Sequence, residues 1–421
     1  MEKAASSIMN TTKQRKLGLY IHIPFCAKKC DYCDFLSAPA GREQIRDYFE
    51  ALITEVQQYR GRTDSYIIST IFIGGGTPSY VDSSYIEAVM NAVKEVFQLD
   101  HHQLEATIEI NPGTVTREKL KTYQRIGINR LSFGLQSSDN NELKLLGRIH
   151  TFEQFEENYN LARELGFKNI NIDLMSALPG QTLRSWEDTL YKVIALQPEH
   201  ISAYSLIIEE GTKFYERYKE GAKLSPTLPD EDTDRFIYYK TKEILHAHGY
   251  HRYEISNYAK DAFECKHNSS YWIGTEYLGI GLGASSLLDS ARFANLHNIN
   301  QYIDLCNEHR FMQRDLETCL EEKQELRDTM VDCIGLRTDF EILAKKQRME
   351  EFMFLGLRMC KGISKSGFFS RFGVDINSVY GEILLRLYNE NLLEYEGDNL
   401  RLTDYGMDIS NYVFSQFLLE D

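Results

Sequence analysis

No stretch of this chain approaches the ~18 consecutive apolar residues that a membrane span requires, so the sequence offers no candidate for crossing a bilayer. The first sixteen residues are polar and carry no apolar block of the kind a secretory signal needs; they read as a disordered lead. Positive charge is also scarce. Lys and Arg number 47 against 62 Asp and Glu, a net charge of −15. Phosphate binding depends on Lys and Arg, so nucleic acid is excluded as the main partner. Cysteine is sparse too, eight in 421 residues, and in an unexported chain most are expected as reduced thiols. Cys265, Cys306, Cys319, Cys333 and Cys360 lie far apart and read as small buried hydrophobes. What composition leaves is a cytoplasmic chain, 43 % apolar and too long for one ordinary domain, consistent with a large barrel plus an appendage.

The other three cysteines, Cys26, Cys30 and Cys33, form CxxxCxxC directly after the apolar run Leu17–Ile23. Here the missing member is a fourth. A structural zinc or a closed iron–sulfur cluster takes four protein ligands. Three thiolates would leave one iron of a [4Fe–4S] cube open to something that is not protein. On spacing alone, an incomplete zinc site is the alternative.

Six runs read as strands: Leu17–Ile23, Thr70–Ile73, Ala106–Ile110, Arg130–Leu135, Asn169–Met175 and His200–Leu206. Amphipathic stretches at Gln44–Tyr59, Ser83–Val96, Phe152–Leu165 and Leu183–Ile194 alternate with them, which predicts an α/β fold with a parallel sheet. Parallel strands covered by helices should be apolar on both faces. These are not. Ile108 and Ile110 oppose Thr107, Glu109 and Asn111; Leu131, Phe133 and Leu135 oppose Ser132, Gly134 and Gln136; Ile170, Ile172 and Leu174 oppose Asn171 and Asp173. Side chains alternate faces along a strand, so one face packs on helices and the other lines a polar lumen.

The second strand runs into Gly74-Gly75-Gly76-Thr77-Pro78, where three glycines leave bare backbone within reach of a ligand. The spacing does not fit the G-x-G-x-x-G dinucleotide fingerprint. A cysteine triad after strand one and a glycine-rich tip on strand two together resemble the radical S-adenosylmethionine (SAM) superfamily. That resemblance implies a partial (β/α)6 barrel. It implies a [4Fe–4S] cluster on Cys26, Cys30 and Cys33, with SAM chelating the open iron. The cofactors carry the radical chemistry there, and the protein positions and shields it. Glu109, inward by parity, is placed to bind a ribose hydroxyl, and Tyr32 to pack on adenine.

Further motifs follow in order: Tyr20-Ile-His-Ile-Pro-Phe-Cys26, Glu109-Ile-Asn-Pro112, Gly134-Leu-Gln136, Leu146-Gly-Arg148-Ile-His150 and Ile172-Asp173-Leu174-Met175. Leu178-Pro-Gly-Gln-Thr182, His267-Asn-Ser-Ser-Tyr271-Trp272 and Phe352-Met-Phe-Leu-Gly-Leu357 complete the set. From about Tyr20 to the C-terminus it resembles the oxygen-independent coproporphyrinogen III oxidase family, and within it the HemW-like haem chaperone branch. By matching motif, the resemblance implies that Tyr20, Gly75 and Glu109 hold the cluster-bound SAM. Gly76, Thr77, Gln136, Arg148 and Asp173 would line a second SAM site, with Tyr32 touching either. Arg148 and Asp173 also admit an ion pair across the barrel mouth. His267 and Tyr271 are the implied haem contact, and a packing role for a histidine beside aromatic rings competes with it. His22, beside the cluster loop, is read as ordering the site.

One departure divides the family. Its decarboxylating oxidases carry CxxxCxxCxC, and here the fourth cysteine position is Phe35. The segment before the first strand is also short. Both features are shared with the chaperone branch, so the implied function is to bind haem as cargo and deliver it to haem-dependent respiratory proteins. The alternative is an enzyme, a SAM-dependent coproporphyrinogen III dehydrogenase that decarboxylates two propionates. A low-potential electron donor is implied wherever SAM is cleaved; peripheral membrane contact and a homodimer are further options. The expected organisation is a disordered lead over 1–16, the barrel and its extension over 17–300, a charged helical linker over 301–346 and a winged-helix-like domain over 347–421. That last domain holds 7 Lys and Arg against 12 Asp and Glu, so it reads as a lid or docking surface and not as a DNA reader.

Overall fold

The computed structural model describes residues 14–312 and 335–419; residues 1–13 of the expected lead and 313–334 of the expected linker lie outside the described residues. Strands β1 (Arg15–Ile23), β2 (Tyr66–Gly75), β3 (Glu105–Ile110), β4 (Arg130–Gln136), β5 (Ile170–Ser176) and β6 (His200–Ser205) lie side by side in chain order, all parallel. The helices between them are α1 (Arg42–Gln57), α2 (Ser83–Val96), α3 (Arg117–Arg125), α4 (Asn140–Leu145), α5 (Phe152–Glu164) and α6 (Leu183–Ala195). Local sequence sets their starts. Asp82 caps α2 by accepting from the Ser84 N–H at 2.9 Å, and Thr151 and Thr182 open α5 and α6 with capping boxes closed by Gln154 and Ser185.

The register keeps the two faces separate. Ile21, Ile73, Ile108, Leu131 and Ile170 are consecutive partners across β1 to β5, all buried in the core shared with the helices. On the opposite parity Glu109, Ser132 and Asn171 are consecutive partners, as are Gly134, Asp173 and Ser202. Removing the aliphatic face from water drives the helices onto the sheet, and the polar face is left to line the interior.

Beyond β6 the chain continues through α7 (Lys213–Tyr218) and α8 (Glu231–Ala247) to the short antiparallel strands β7 (His251–Arg252) and β8 (Asn257–Ala259). It then returns to the other edge. After α9 (Lys266–Trp272), β9 (Tyr277–Ile280) adds beside β1 as a further parallel strand, followed by antiparallel β10 (Ser285–Leu288) and β11 (Ala291–Asn295).

The disordered lead expected over 1–16 does not reach Arg15 and Lys16, which belong to β1. Arg15 is held there by an ion pair to Asp289 at 2.6 Å and a hydrogen bond to the Tyr66 hydroxyl. The expected helical linker opens with α10 (Ile299–Met312), but Arg337–Ile342 is strand β12, paired antiparallel with β11. Its charges suggested a solvated helix, whereas the open edge of β11 supplies the hydrogen bonds that make it a strand.

The C-terminal part comprises helices Lys345–Gly356, Lys365–Phe372 and Ile376–Asn389, a hairpin of Leu393–Glu396 with Asn399–Leu402, and two short closing helices. It has its own apolar core, including Met353, Leu357, Phe368, Leu384, Leu400 and Phe417. Ion pairs from Lys242 and Arg252 to Asp404, and from Arg235 to Asp408, tie it to the flank of the barrel.

Candidate cluster and cofactor site

The loop after β1 carries all three cysteines of the motif and is held on three sides. Gly76 and Thr77, at the glycine-rich tip of β2, donate their N–H groups to the Ile23 and Phe25 carbonyls, each at 2.8 Å. The Asp31 N–H donates to the Leu146 carbonyl at 3.1 Å, and the Phe214 N–H of α7 donates to the Asp31 carbonyl at 2.9 Å. The Asp31 carboxylate pairs with Lys213 at 3.0 Å and Arg217 at 2.9 Å. Burial pushes Asp31 up, but these two cations outweigh it and its pKa lies below the ordinary carboxylate value.

Cys26, Cys30 and Cys33 line a cavity of about 490 Å³ enclosed by β2 to β6. Gly75, Gly76, Thr77, Glu109, Gln136, Arg148, Asp173 and Tyr32 line it as well, so the barrel gathers residues spread over some 150 positions of sequence into one chamber. Thr77 donates its hydroxyl to Cys26 Sγ at 3.5 Å, and Arg148 Nη1 lies 3.7 Å from Cys30 Sγ. Arg148 also donates to the Gly134 carbonyl. No ion pair joins Arg148 to Asp173 among the described residues. Asp173 instead accepts from Ser132 Oγ at 3.0 Å and Asn171 Nδ2 at 2.8 Å. Glu109 accepts from the Gly75 N–H at 3.0 Å. Burial, then the nearby Asp173 carboxylate, pushes Glu109 up to about 8, so its carboxyl is largely protonated at neutral pH.

Three other expected residues sit elsewhere. Tyr20 lines a second, larger cavity; its hydroxyl hydrogen-bonds His22 Nδ1 at 3.0 Å, and its ring stacks on Phe72. Both nitrogens of His22 are used, since Nε2 donates to the Leu36 carbonyl at 2.8 Å; the histidine therefore braces the loop. His267 lines neither cavity. It is buried, with Nδ1 2.8 Å from Thr70 Oγ1, Nε2 2.9 Å from the Tyr271 hydroxyl, and its ring stacked on Phe72. Burial, and then Arg130, push its pKa down to about 3, so the imidazole is neutral. Tyr271 reaches the second cavity. Glu105, at the start of β3, fixes this short helix by accepting from the N–H groups of Lys266 and His267.

The chamber also contains Arg130 and Tyr204, which no motif of the sequence marks. Tyr204 donates to Gln136 Oε1 at 2.9 Å. Each extends the inward parity of its strand by one step, and that alternation was the available signal.

The donor set has the shape a cluster needs. Each thiolate of a cube binds a different iron, so the donors must border a volume, as these do. The cradle is cut to backbone thickness: a Cβ on Gly76 would stand 3.0 Å from Cys26 Sγ and 2.8 Å from the Phe25 carbonyl oxygen. Polar atoms await partners there. Arg148 Nε and Asn111 Oδ1 are buried without a hydrogen bond.

A parallel β/α barrel with three cysteines after its first strand and a glycine-rich tip on its second defines a protein of the radical SAM class. The profile of the radical SAM superfamily matches residues 20–192, and that of the HemN C-terminal domain matches residues 343–409. This chain belongs to the HemW family of haem chaperones. It is 37 % identical to the heme chaperone HemW of Lactococcus lactis over 97 % of this chain and 99 % of that one. With the heme chaperone HemW of Bacillus subtilis it shares 35 % identity over 95 % and 99 %. In fold it is similar to the solved coproporphyrinogen III oxidase HemN of Escherichia coli, a radical SAM enzyme, with a TM-score of 0.78, 23 % identity and coverage of 96 % and 90 %.

Proposed function

We propose that this protein is a cytoplasmic haem chaperone that carries a [4Fe–4S] cluster on Cys26, Cys30 and Cys33 and delivers haem to haem-dependent respiratory proteins. The observation that carries the reading is the cysteine loop itself. Three thiols border a chamber lined by Gly75, Glu109, Gln136, Arg148 and Asp173, while the fourth cysteine position of the oxidases is Phe35, 62 % exposed at the mouth. Gly75 and Glu109 offer backbone and carboxyl groups to the amino and hydroxyl groups of SAM, and Gly76, Thr77, Gln136, Arg148 and Asp173 offer a second polar subsite. When bound, the cluster supplies a low-potential electron. The residues of this chain bind, orient and shield. Among the described residues no helix is long and apolar enough to cross a membrane; delivery to a respiratory acceptor needs no more than peripheral contact.

The test is anaerobic. Reconstituted protein is expected to hold about four iron and four sulfide per chain, to lose them when any one of the three cysteines is replaced by Ala, and to bind haem stoichiometrically. Stoichiometric zinc that survives reconstitution would overturn the cluster. Enzyme-like release of carbon dioxide from coproporphyrinogen III in the presence of SAM and reductant would replace the chaperone with the dehydrogenase.

A further inference from the structure

The second cavity, between the β9–β11 edge and the C-terminal domain, has a volume of about 1350 Å³. That exceeds the ~300–1,000 Å³ typical of pockets for small ligands. It shares no lining residue with the cluster chamber, and the rings of Tyr20, Phe72 and His267 stack between the two.

Its charge runs against that of the molecule. In a chain with a net charge of −15, this cavity is lined by six cations, Arg15, Lys16, Arg292, Arg348, Lys361 and Arg371, and two carboxylates, Glu276 and Glu351. Both carboxylates are already taken, Glu351 by Arg292 at 2.7 Å and Glu276 by Arg15 at 3.3 Å. Two guanidinium groups have no carboxylate partner among the described residues. Arg348 donates to Ser290 Oγ at 3.1 Å and buries its Nε without a partner. Arg371 donates to the backbone carbonyls of Ile273 and Gly274. Burial, then the neighbouring Arg348, lowers the pKa of Arg371, and Glu276 and Glu351, near enough to act on it without pairing, offset this only in part. Gly274 is part of the cradle. At φ +68° it takes the left-handed conformation, and a Cβ there would lie 2.5 Å from Arg371 Nη1.

Tyr271, Trp272, Leu287, Phe352, Leu355 and Ile363 give the wall an apolar and aromatic part, and Thr275, Ser285, Ser364 and Asn399 add polar groups to it. The matching ligand is a large apolar body with two anionic groups on one side. We propose that this cavity, outside the barrel lumen, is the cradle for haem, with Arg348 and Arg371 receiving its two propionates; the inference rests on the chaperone reading above. Guanidinium forks match carboxylates in geometry as well as charge.

The experiment is a Soret titration of the full chain with hemin and with hemin dimethyl ester, whose propionates are blocked. Wild type is expected to bind hemin at least tenfold more tightly than Arg348→Gln/Arg371→Gln does, and at least tenfold more tightly than it binds the ester. The ester should bind wild type and double variant alike. Should the double variant fail to fold, the wild-type comparison of hemin with its ester still decides. Equal affinity of wild type for hemin and its ester, or of wild type and a folded double variant for hemin, overturns the propionate cradle while leaving the chaperone reading standing. Displacement of hemin by an equal concentration of palmitate would also overturn it, assigning the cavity to a fatty-acyl carboxylate. Absence of any hemin binding by wild type would overturn the chaperone reading itself.

Discussion

At the scale of single residues, Glu109 and His267 show how burial sets chemistry. Glu109 has its pKa raised from 4.5 to about 8. An unfolded chain ionises there near pH 4.5, while the folded chain keeps the proton. The stability from this residue is therefore fully present below pH 4.5 and is lost as pH rises towards 8. The melting temperature of the ligand-free protein is expected to fall across that window, and Glu109→Gln should flatten the fall; an identical slope in both proteins would refute the assignment. If the ionised carboxylate is the form that meets SAM, binding at pH 7 should release a proton in wild type and none in Glu109→Gln, as calorimetry in buffers of different ionisation enthalpy would read. His267 spends both nitrogens inside the protein, on Thr70 and Tyr271. Its replacement by Ala should cost about 1–3 kcal/mol in chemical denaturation by leaving both hydroxyls unpaired. A Soret shift without loss of stability would instead mark it as an iron ligand.

Among elements, the cysteine loop has little secondary structure of its own and borrows rigidity from its neighbours. Asp31 is the clearest fastening, joining it to α7 through Lys213 and Arg217. Both partners are substantially exposed, so Asp31→Ala is expected to cost only about 0.5–1 kcal/mol of global stability. Its local effect should be larger. Iron loss to a chelator should be several-fold faster than in wild type, because the loop must open for the cluster to leave. The lowered pKa of Asp31 makes this fastening complete above its ordinary value of 3.8 and lost as pH falls through the folded value, so chelation rates should not vary with it near neutrality. Unchanged chelation kinetics in the variant would show that the β2 tip alone holds the loop.

On the scale of the molecule, the two cores are separate, and a small apolar cluster of Tyr253, Ala259 and Met359 together with ion pairs positions one against the other. Asp404 alone receives Lys242 and Arg252, at 2.5 and 3.1 Å. Asp404→Ala should lower overall stability by about 1 kcal/mol or less, since the aspartate is exposed. The proposed haem cavity lies between these two bodies, so the same substitution should weaken hemin binding while leaving the visible absorbance of the cluster intact. Parallel loss of both would mean that the barrel itself had been damaged.

Sequence alone determined the β-α alternation, the polar inner parity of the strands, the cysteine triad and the glycine tip, because each is a local pattern set by side-chain period or spacing. Five of the six barrel strands and the four amphipathic helices lie within two residues of their expected ends at most boundaries, while β2 begins four residues earlier, at Tyr66. Sequence did not reveal β9 joining β1 or Arg337–Ile342 becoming a strand, since a short edge segment takes its conformation from a partner distant in the chain. Nor did it separate Tyr20 from Glu109, which line different cavities, or His267 from Tyr271, one helical turn apart, of which only Tyr271 reaches a cavity. The cationic cavity is the fullest case. Arg15, Arg292, Arg348 and Arg371 are scattered singly through an acidic chain, and only the packing of the C-terminal domain on the β9–β11 edge brings them to one cavity, because no local pattern records a contact between residues so far apart in sequence.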